Sequence, residues 1–365
     1  MLGLKSSSRQ IWQKNWSGSL SDYVTAIGWS PQGDMLAACS AAGEVLVLRE
    51  LSDRSLLDLP SQDSLNSLAF SADGRYLAAG GQGKTLFVWQ FPGSEELPAS
   101  LVFSLPSKHW VEHVAWHPQL NWLAFNVGRY VQVWDTTSQR VITTLPFEAS
   151  SALCFDWSPD GKFLAVGGYQ GAKVWNCLDW DDDPYLVELP SASVALSWSP
   201  DSRYLASGNM DRTITVIEWQ DGQPSAQPWV MRGFPGKIRY LAWSSLLPNA
   251  SKPILASTSV EGIVIWERSL NPLVGWDGRV LENHTQAVEA IAFQPQAIHL
   301  ASAGADGLVN IWQKAKHLTQ TLTGANQGFS CLGWHPKGQS LAAGGKQGEL
   351  LIWSQTQAGK GFSKV

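Results

Sequence analysis

The sequence is poor in charge, in paired cysteines and in long apolar runs, and each shortage closes off a class of protein. Asp, Glu, Lys and Arg make up only 16% of the 365 residues, below the roughly 25% of an average soluble chain. They sum to a formal charge of −5, so no basic field is available to grip a phosphate backbone, and nucleic acid is not the expected partner. Cys39, Cys154, Cys177 and Cys331 stand far apart with no Cys-x-x-Cys pair, which leaves a zinc knuckle or a disulfide framework without support. The N-terminal MLGLKSSSRQIW has no apolar core of signal-peptide length, and no later stretch reaches the ~20 apolar residues that cross a bilayer. The expectation is a reduced, cytoplasmic chain without a transmembrane segment and without a cofactor.

What the chain has in excess is tryptophan, 20 copies, and the reason is a repeat. A short apolar run, an aromatic residue, a polar turn and then Leu-Ala with small residues recur as VTAIGWSPQGDMLAA (24–38), LNSLAFSADGRYLAA (65–79), LCFDWSPDGKFLAV (153–166) and FSCLGWHPKGQSLAA (329–343). The aromatic anchors are Trp29, Phe70, Trp116, Trp157, Trp198, Trp243, Phe293 and Trp334, spaced 41–50 residues apart, the period of propeller blades. Alternation of period two puts Ile27, Leu68, Val114, Phe155, Leu196, Leu241, Ile291 and Leu332 on the anchor's side of a strand. The residue between is small in seven repeats (Gly28, Ala69, Ala115, Ser197, Ala242, Ala292, Gly333), as an innermost strand at the convergence of blades requires. A third strand ends in Trp at 89, 134, 175, 266, 312 and 353, with Leu48 and Ile217 in the other two repeats. Asp-Gly, Gln-Gly and Ser-Pro pairs punctuate the hairpins.

With these features the chain resembles the WD-repeat β-propeller family, most closely in LASAGADGLVNIW (300–312). The resemblance implies a hydrogen-bonded tetrad in that repeat, made by His284, Ser302, Asp306 and Trp312. Other repeats are degenerate: Trp134-Asp135 is the one literal WD dipeptide, and no other anchor has a His nine residues before it. The expected fold is all-β, a closed propeller of four-stranded antiparallel blades over residues 1–365. Eight blades follow if each repeat is one blade. Seven follow if a unit pairs irregularly, the stretched one at 217–266 being the suspect. The last repeat lacks an outer strand, and residues 9–16 have the pattern to supply it by pairing with 350–353, which removes a free edge. Residues 354–365, rich in Gly, Lys and Ser, read as a flexible C-terminal tail.

Several stretches imitate functional motifs. Gly80-Gly81-Gln82-Gly83-Lys84-Thr85 nearly spells a phosphate-binding loop, but LFVW follows where that loop needs a helix, so a hairpin turn is expected. The acidic run Asp179-Trp180-Asp181-Asp182-Asp183 matches no Ca²⁺ loop and reads as a solvated loop or a partner contact. His117 and His335 occupy the turn slot that is Ser in other repeats. No metal or catalytic triad emerges among the seven histidines. Asp156 replaces a small inner-strand residue, and His113 and Tyr240 fill another mostly small position. A buried carboxylate needs a partner: the His113 side chain and local backbone are the two candidates.

Function is read chiefly from the resemblance, since a fold alone does not name one. WD-repeat propellers commonly bind peptides or domains on the face built by loops leading into the innermost strands. Here those loops carry Tyr23, Trp110, Phe234, Lys237, Arg239 and Phe329, and aromatic residues and Arg are enriched at binding hot spots. The expected function is a non-catalytic scaffold for partner proteins or peptides. The alternative is an enzyme with Asp156 and His113 converging with a third polar group at the central channel.

Overall fold

Seven times the chain lays down an antiparallel sheet from consecutive short strands, and an eighth sheet joins the last three strands of the chain to the first. The structure, a computed structural model, describes residues 11–57, 59, 63–91, 99–148, 150–169, 171–247, 252–271 and 273–356. Among these residues there is no helix. Blade one is typical, with strands Val24–Trp29, Met35–Ser40, Val45–Arg49 and Asp53–Leu57. Eight such sheets decide the count against seven. The stretched unit is an ordinary blade six (Tyr240–Trp243, Leu255–Ser259, Gly262–Arg268, Trp276–Leu281), its extra length spent in the loop between its first two strands. Blade five adds a two-residue strand, Gln223–Pro224, beside the end of Ile214–Gln220.

The core is not one mass but eight layers, each shared by two neighbouring blades. The layer built from Val24, Leu36 and Leu46 of blade one with Leu350 and Ile352 of blade eight joins the two ends of the chain. Second strands such as Met35–Ser40 and Phe163–Gly168 are buried throughout, because blades pack on both of their faces. They therefore lose the alternation of a half-exposed strand.

The tryptophan excess has two structural uses. In the innermost strand of five of the six blades anchored by Trp, the indole N–H donates to the backbone carbonyl of the small residue in the preceding blade; Trp198, which follows the blade carrying Asp156 at that position, makes no such bond. These bonds run from Trp29 to Gly333 (3.1 Å), Trp116 to Ala69 (2.9 Å), Trp157 to Ala115 (3.1 Å), Trp243 to Ser197 (3.0 Å) and Trp334 to Ala292 (3.0 Å). A larger side chain at the acceptor position would obstruct the approaching ring. In the third strand the Trp seals the layer: Trp89, Trp134, Trp175, Trp312 and Trp353 are all buried.

The slot after the anchor is solved in two ways. Ser30 and Ser158 close their own turns, each bonding the Asp that follows and accepting the N–H of Met35 or Phe163. His117 and His335 reach further. Their Nδ1 atoms accept backbone N–H groups of their own turns, so Nε2 carries the proton and donates to Gly161 O (2.9 Å) and Gly33 O (3.0 Å) of the next blade. Gly33 (φ 82°) and Gly161 (φ 74°) are left-handed, and a Cβ on either would strike the histidine ring.

Residues Ile11–Ser19 form the outer strand of blade eight, pairing with Glu349–Thr356 from Ile11 opposite Thr356 to Ser19 opposite Glu349. The strand is longer than the 9–16 read from sequence; residues 9 and 10 lie outside the described residues. Ser354, Gln355 and Thr356, assigned to the tail by composition, belong to the sheet because Gln13, Trp12 and Ile11 pair with them. The remainder of that tail, 357–365, lies outside the described residues.

Blade seven holds a complete four-residue chain. Trp312 Nε1–H donates to Ser302 Oγ (2.9 Å), Ser302 Oγ faces His284 Nε2 (2.8 Å), and His284 Nδ1 faces the Asp306 carboxylate (3.0 Å). Asp306 can only accept there, so Nδ1 carries the proton and Nε2 accepts from Ser302. Blade six keeps one link, Trp266 Nε1–H to Ser257 Oγ at 3.0 Å. Trp312→Phe should cost about 1–3 kcal/mol, by stranding a lone pair of a fully buried serine. Urea unfolding measures it, and a loss under about 0.5 kcal/mol would mean that Ser302 draws another donor.

Candidate partner-binding face

Loops leading into the eight innermost strands emerge on one end of the propeller, and burial there follows a column rule. Five residues before the anchor the side chain is buried, as at Val24, Leu65, Val111, Ile238, Val288 and Phe329. One residue earlier stand Tyr23, Trp110 and Lys237, half-buried or exposed, and one later stand Arg239 and Glu289. Phe329 is therefore core, fully buried 6.1 Å from Trp353, and does not present a binding surface. Phe234 is also buried, its ring 5.8 Å from Trp266. It occupies the His284 slot of blade six and gives Trp266 an apolar cover in place of a tetrad. Trp110, Lys237 and Arg239 are exposed, Trp110 by 48% of its surface.

A charge cluster unites blades six, seven and eight on this face. Glu289 meets Arg239 at 3.1 Å and Lys346 at 3.0 Å. Glu289 is largely shielded, and its two cations leave the group net positive. Tyr23 and Tyr240 lie in its field. Burial, reinforced by Glu289, Cys331 and Tyr240, pushes the Tyr23 hydroxyl up to about 12. Burial and then Glu289 likewise raise Tyr240. Both phenols stay neutral and can donate. Nothing in the sequence singles out Glu289 or Lys346, because each is an ordinary surface residue type; only aligning Glu289 with Arg239, four residues before their anchors, marks it.

Farther round the same face, the loop between Ser100–Pro106 and Val114–Trp116 lies between two hollows. One, of about 350 Å³, is lined by Lys84, Lys108, His109, Trp110, Glu112 and Asn126. The other, of about 400 Å³, shares Lys108 and His109 and adds Leu105, Val127, Tyr130 and Val141. Lys84 belongs to the Gly-rich stretch that imitates a phosphate loop; it sits in the hairpin between Tyr76–Gly81 and Thr85–Gln90.

The channel candidates do not assemble. Asp156 Oδ2 accepts the Trp198 backbone N–H at 2.8 Å. Burial raises its carboxyl from the usual 3.8 to about 7, against the opposing hydrogen bonds from the Trp198 and Trp157 backbone. His113 does not join it: its backbone N–H donates to Asn126 Oδ1 at 2.9 Å, its ring lies edge-on to Phe155, and desolvation lowers that ring below the usual histidine range. Of the two partners considered for Asp156, local backbone is the one present. At the opposite end, Asp179, Asp181, Asp182 and Asp183 are exposed, and their loop is tied down by Trp180, packed 6.2 Å from both Trp122 and Trp157. Among the described residues no cluster of His, Cys, Asp or Glu could hold a metal, and no helix is long and apolar enough to cross a membrane.

Comparison with known proteins agrees with the geometry. The chain is 23% identical over 309 residues to Protein HIR1 of Kluyveromyces lactis, covering 81% of this chain and 30% of that protein. It is 30% identical over 241 residues to Cell division cycle 20.6, cofactor of APC complex, of Arabidopsis thaliana, covering 62% and 54%. The chain thus spans at most about half of these relatives. The crystal structure of Sqt1 from Chaetomium thermophilum superposes with a TM-score of 0.80 at 18% identity, over 94% of this chain and 99% of that one. Sqt1 bound to the N-terminus of the ribosomal protein L10 superposes with a TM-score of 0.78, at 18% identity over 95% and 100%. At such identity these two show the fold alone. The sequence pattern of the WD domain, G-beta repeat, matches residues 12–47, 54–90, 139–176, 188–218, 275–313 and 316–354. With more than half of its length matched and all eight sheets formed, the chain belongs to the WD40-repeat family.

Proposed function

We propose that this propeller is a non-catalytic scaffold that binds partner proteins or peptides on the face formed by the loops leading into its innermost strands. The observation that carries this reading is Trp110, a large aromatic left 48% exposed above a hollow of about 350 Å³ on a rigid frame. Aromatic groups placed so gain affinity by leaving water without ordering much chain. Arg239 adds directional donors to the same face. The matched repeat segments leave 91–138 and 219–274 between them, the stretches that hold Trp110 and Arg239. A structural neighbour, Sqt1, is bound to the N-terminus of a ribosomal protein, a precedent for a peptide on such a frame. The enzyme reading lacks support, since Asp156 is engaged with the Trp198 backbone and, among the described residues, no hydrogen bond joins it to His113. The four thiols are free, which suits the cytoplasm as the working compartment.

The test is affinity capture from the native host with wild type, Trp110→Ala and Arg239→Ala. Each variant should lose partners while its stability stays within about 1 kcal/mol of wild type, as surface changes and exposed ion pairs usually allow. Full recovery of the wild-type set by both variants would move the binding face elsewhere.

A further inference from the structure

The two hollows around Lys108 and His109 bring together two lysines and a single carboxylate, Glu112, with which neither lysine is paired. Among the described residues neither Lys84 nor Lys108 takes part in an ion pair. The contrast is with the hollow of about 410 Å³ beside blade four, where Lys173 is already matched by Glu148 at 2.6 Å. Both free ammonium groups line the hollow that Trp110 overlooks. The loop that positions them is braced. Ser107 N–H donates to the Lys84 carbonyl (2.6 Å), His109 N–H donates to Ser107 Oγ (3.1 Å), and the His109 ring lies over Gly128, where a Cβ would come within 3.0 Å of it. The second hollow is apolar on the far side of Lys108, with Leu105, Val127 and Val141 in its wall and Tyr130 48% exposed.

Resting on the scaffold reading, we propose that this double cleft receives an acidic peptide. A partner carboxylate sits between Lys84 and Lys108, and an adjoining apolar side chain packs on Trp110 or enters the Tyr130 hollow. Two unpaired cations with a contiguous apolar wall call for a ligand that offers both kinds of group a few ångströms apart, which a peptide does. A phosphate offers only charge, and Glu112 in the wall opposes a dianion more than a single carboxylate. Bracing lowers the ordering cost of binding.

The experiment uses the full chain and three labelled sets of capped octapeptides, read by fluorescence anisotropy. One set combines Asp and Glu with Leu and Phe, the second replaces the acids by Asn and Gln, and the third by Lys and Arg; ATP serves as a phosphate probe. The acidic set should bind at least about tenfold tighter than the amide set, and more weakly as salt is raised. Lys84→Glu with Lys108→Glu should abolish that preference and favour the basic set, while the milder Lys84→Gln should reduce it. Both lysines are exposed, so the fold should survive, and thermal unfolding checks that. Equal binding of acidic and amide sets, binding of ATP alone, no binding of any set, or indifference to the charge reversal would overturn the assignment. If Trp110→Ala loses native partners while no acidic peptide binds, the scaffold reading stands and only this partner chemistry fails.

Discussion

Trp12→Ala should destabilise the propeller by about 3–5 kcal/mol, the range for truncating a buried aromatic. Trp12 is buried, 5% exposed, its ring edge-on to Trp334 at 5.1 Å. It joins the layer formed by Leu322, Phe329 and Trp353. Its backbone N–H and carbonyl are both bonded to the Gln320 amide at 2.8 Å. One residue thus ties the closing strand to blade eight through its ring and to blade seven through its backbone. Truncation removes the transfer free energy of the indole and leaves a void that a two-sided blade layer cannot collapse into. Urea unfolding gives the number. Trp12→Phe should fall between, since it keeps most of the ring contact. A loss below about 1 kcal/mol would mean that Ile11–Ser19 adds little to closure.

Asp156→Asn should stabilise the protein at pH 8 and do so much less at pH 4. The folded carboxyl titrates near 7 because of burial, against the usual 3.8. A folded value raised above the unfolded one contributes stability that is complete below pH ~4 and is lost as pH rises through ~7. Across that window the unfolded chain gives up its proton while the folded chain retains it, at about 1.4 kcal/mol per pH unit. The asparagine carbonyl can still accept the Trp198 N–H and has no proton to lose. The difference between variant and wild type should therefore grow by on the order of 2–4 kcal/mol from pH 4 to pH 8 and then level off. His113, His117, His299 and His335 are all shifted down by burial, so both proteins should weaken together below pH ~6.5. That common loss cancels in the comparison. A difference independent of pH would mean that Asp156 is ionised in the folded protein throughout.

Much of the fold was legible because it is periodic. Trp29, Trp116, Trp157 and Trp334 could be recognised as anchors from spacing alone, and the small residue beside each was legible as a requirement of convergence. That this small residue is also the place where the next blade's indole finds its carbonyl was not legible, since the bond joins residues about 42 positions apart. Phe234 and Phe329 stand among the binding candidates because a phenylalanine in a loop looks like a hot spot, and both are buried; for Phe329, core packing at the strand start is legible in the sequence. Comparison with Val24 and Ile238 would have marked Phe329 as core, and comparison with His284 would have identified Phe234 as the tetrad's apolar substitute. Asp156 was recognisable as an anomaly, but its choice of the Trp198 backbone over His113 depends on how blades four and five meet.

By itself the sequence determined the all-β class, the strand-by-strand periodicity and the anchor aromatics, because these rest on local alternation and on repeat spacing; the residues of the blade-seven tetrad followed from the family resemblance of that one repeat. Tertiary structure alone decided which loop residues face solvent, that Glu289 gathers Arg239 and Lys346 from different blades, and that Lys84 and Lys108 share one hollow with Trp110. The physical reason is that the packing of neighbouring blades brings together side chains 50 and 57 residues apart in the chain, and neither charge nor exposure at such a meeting point is written in any single repeat.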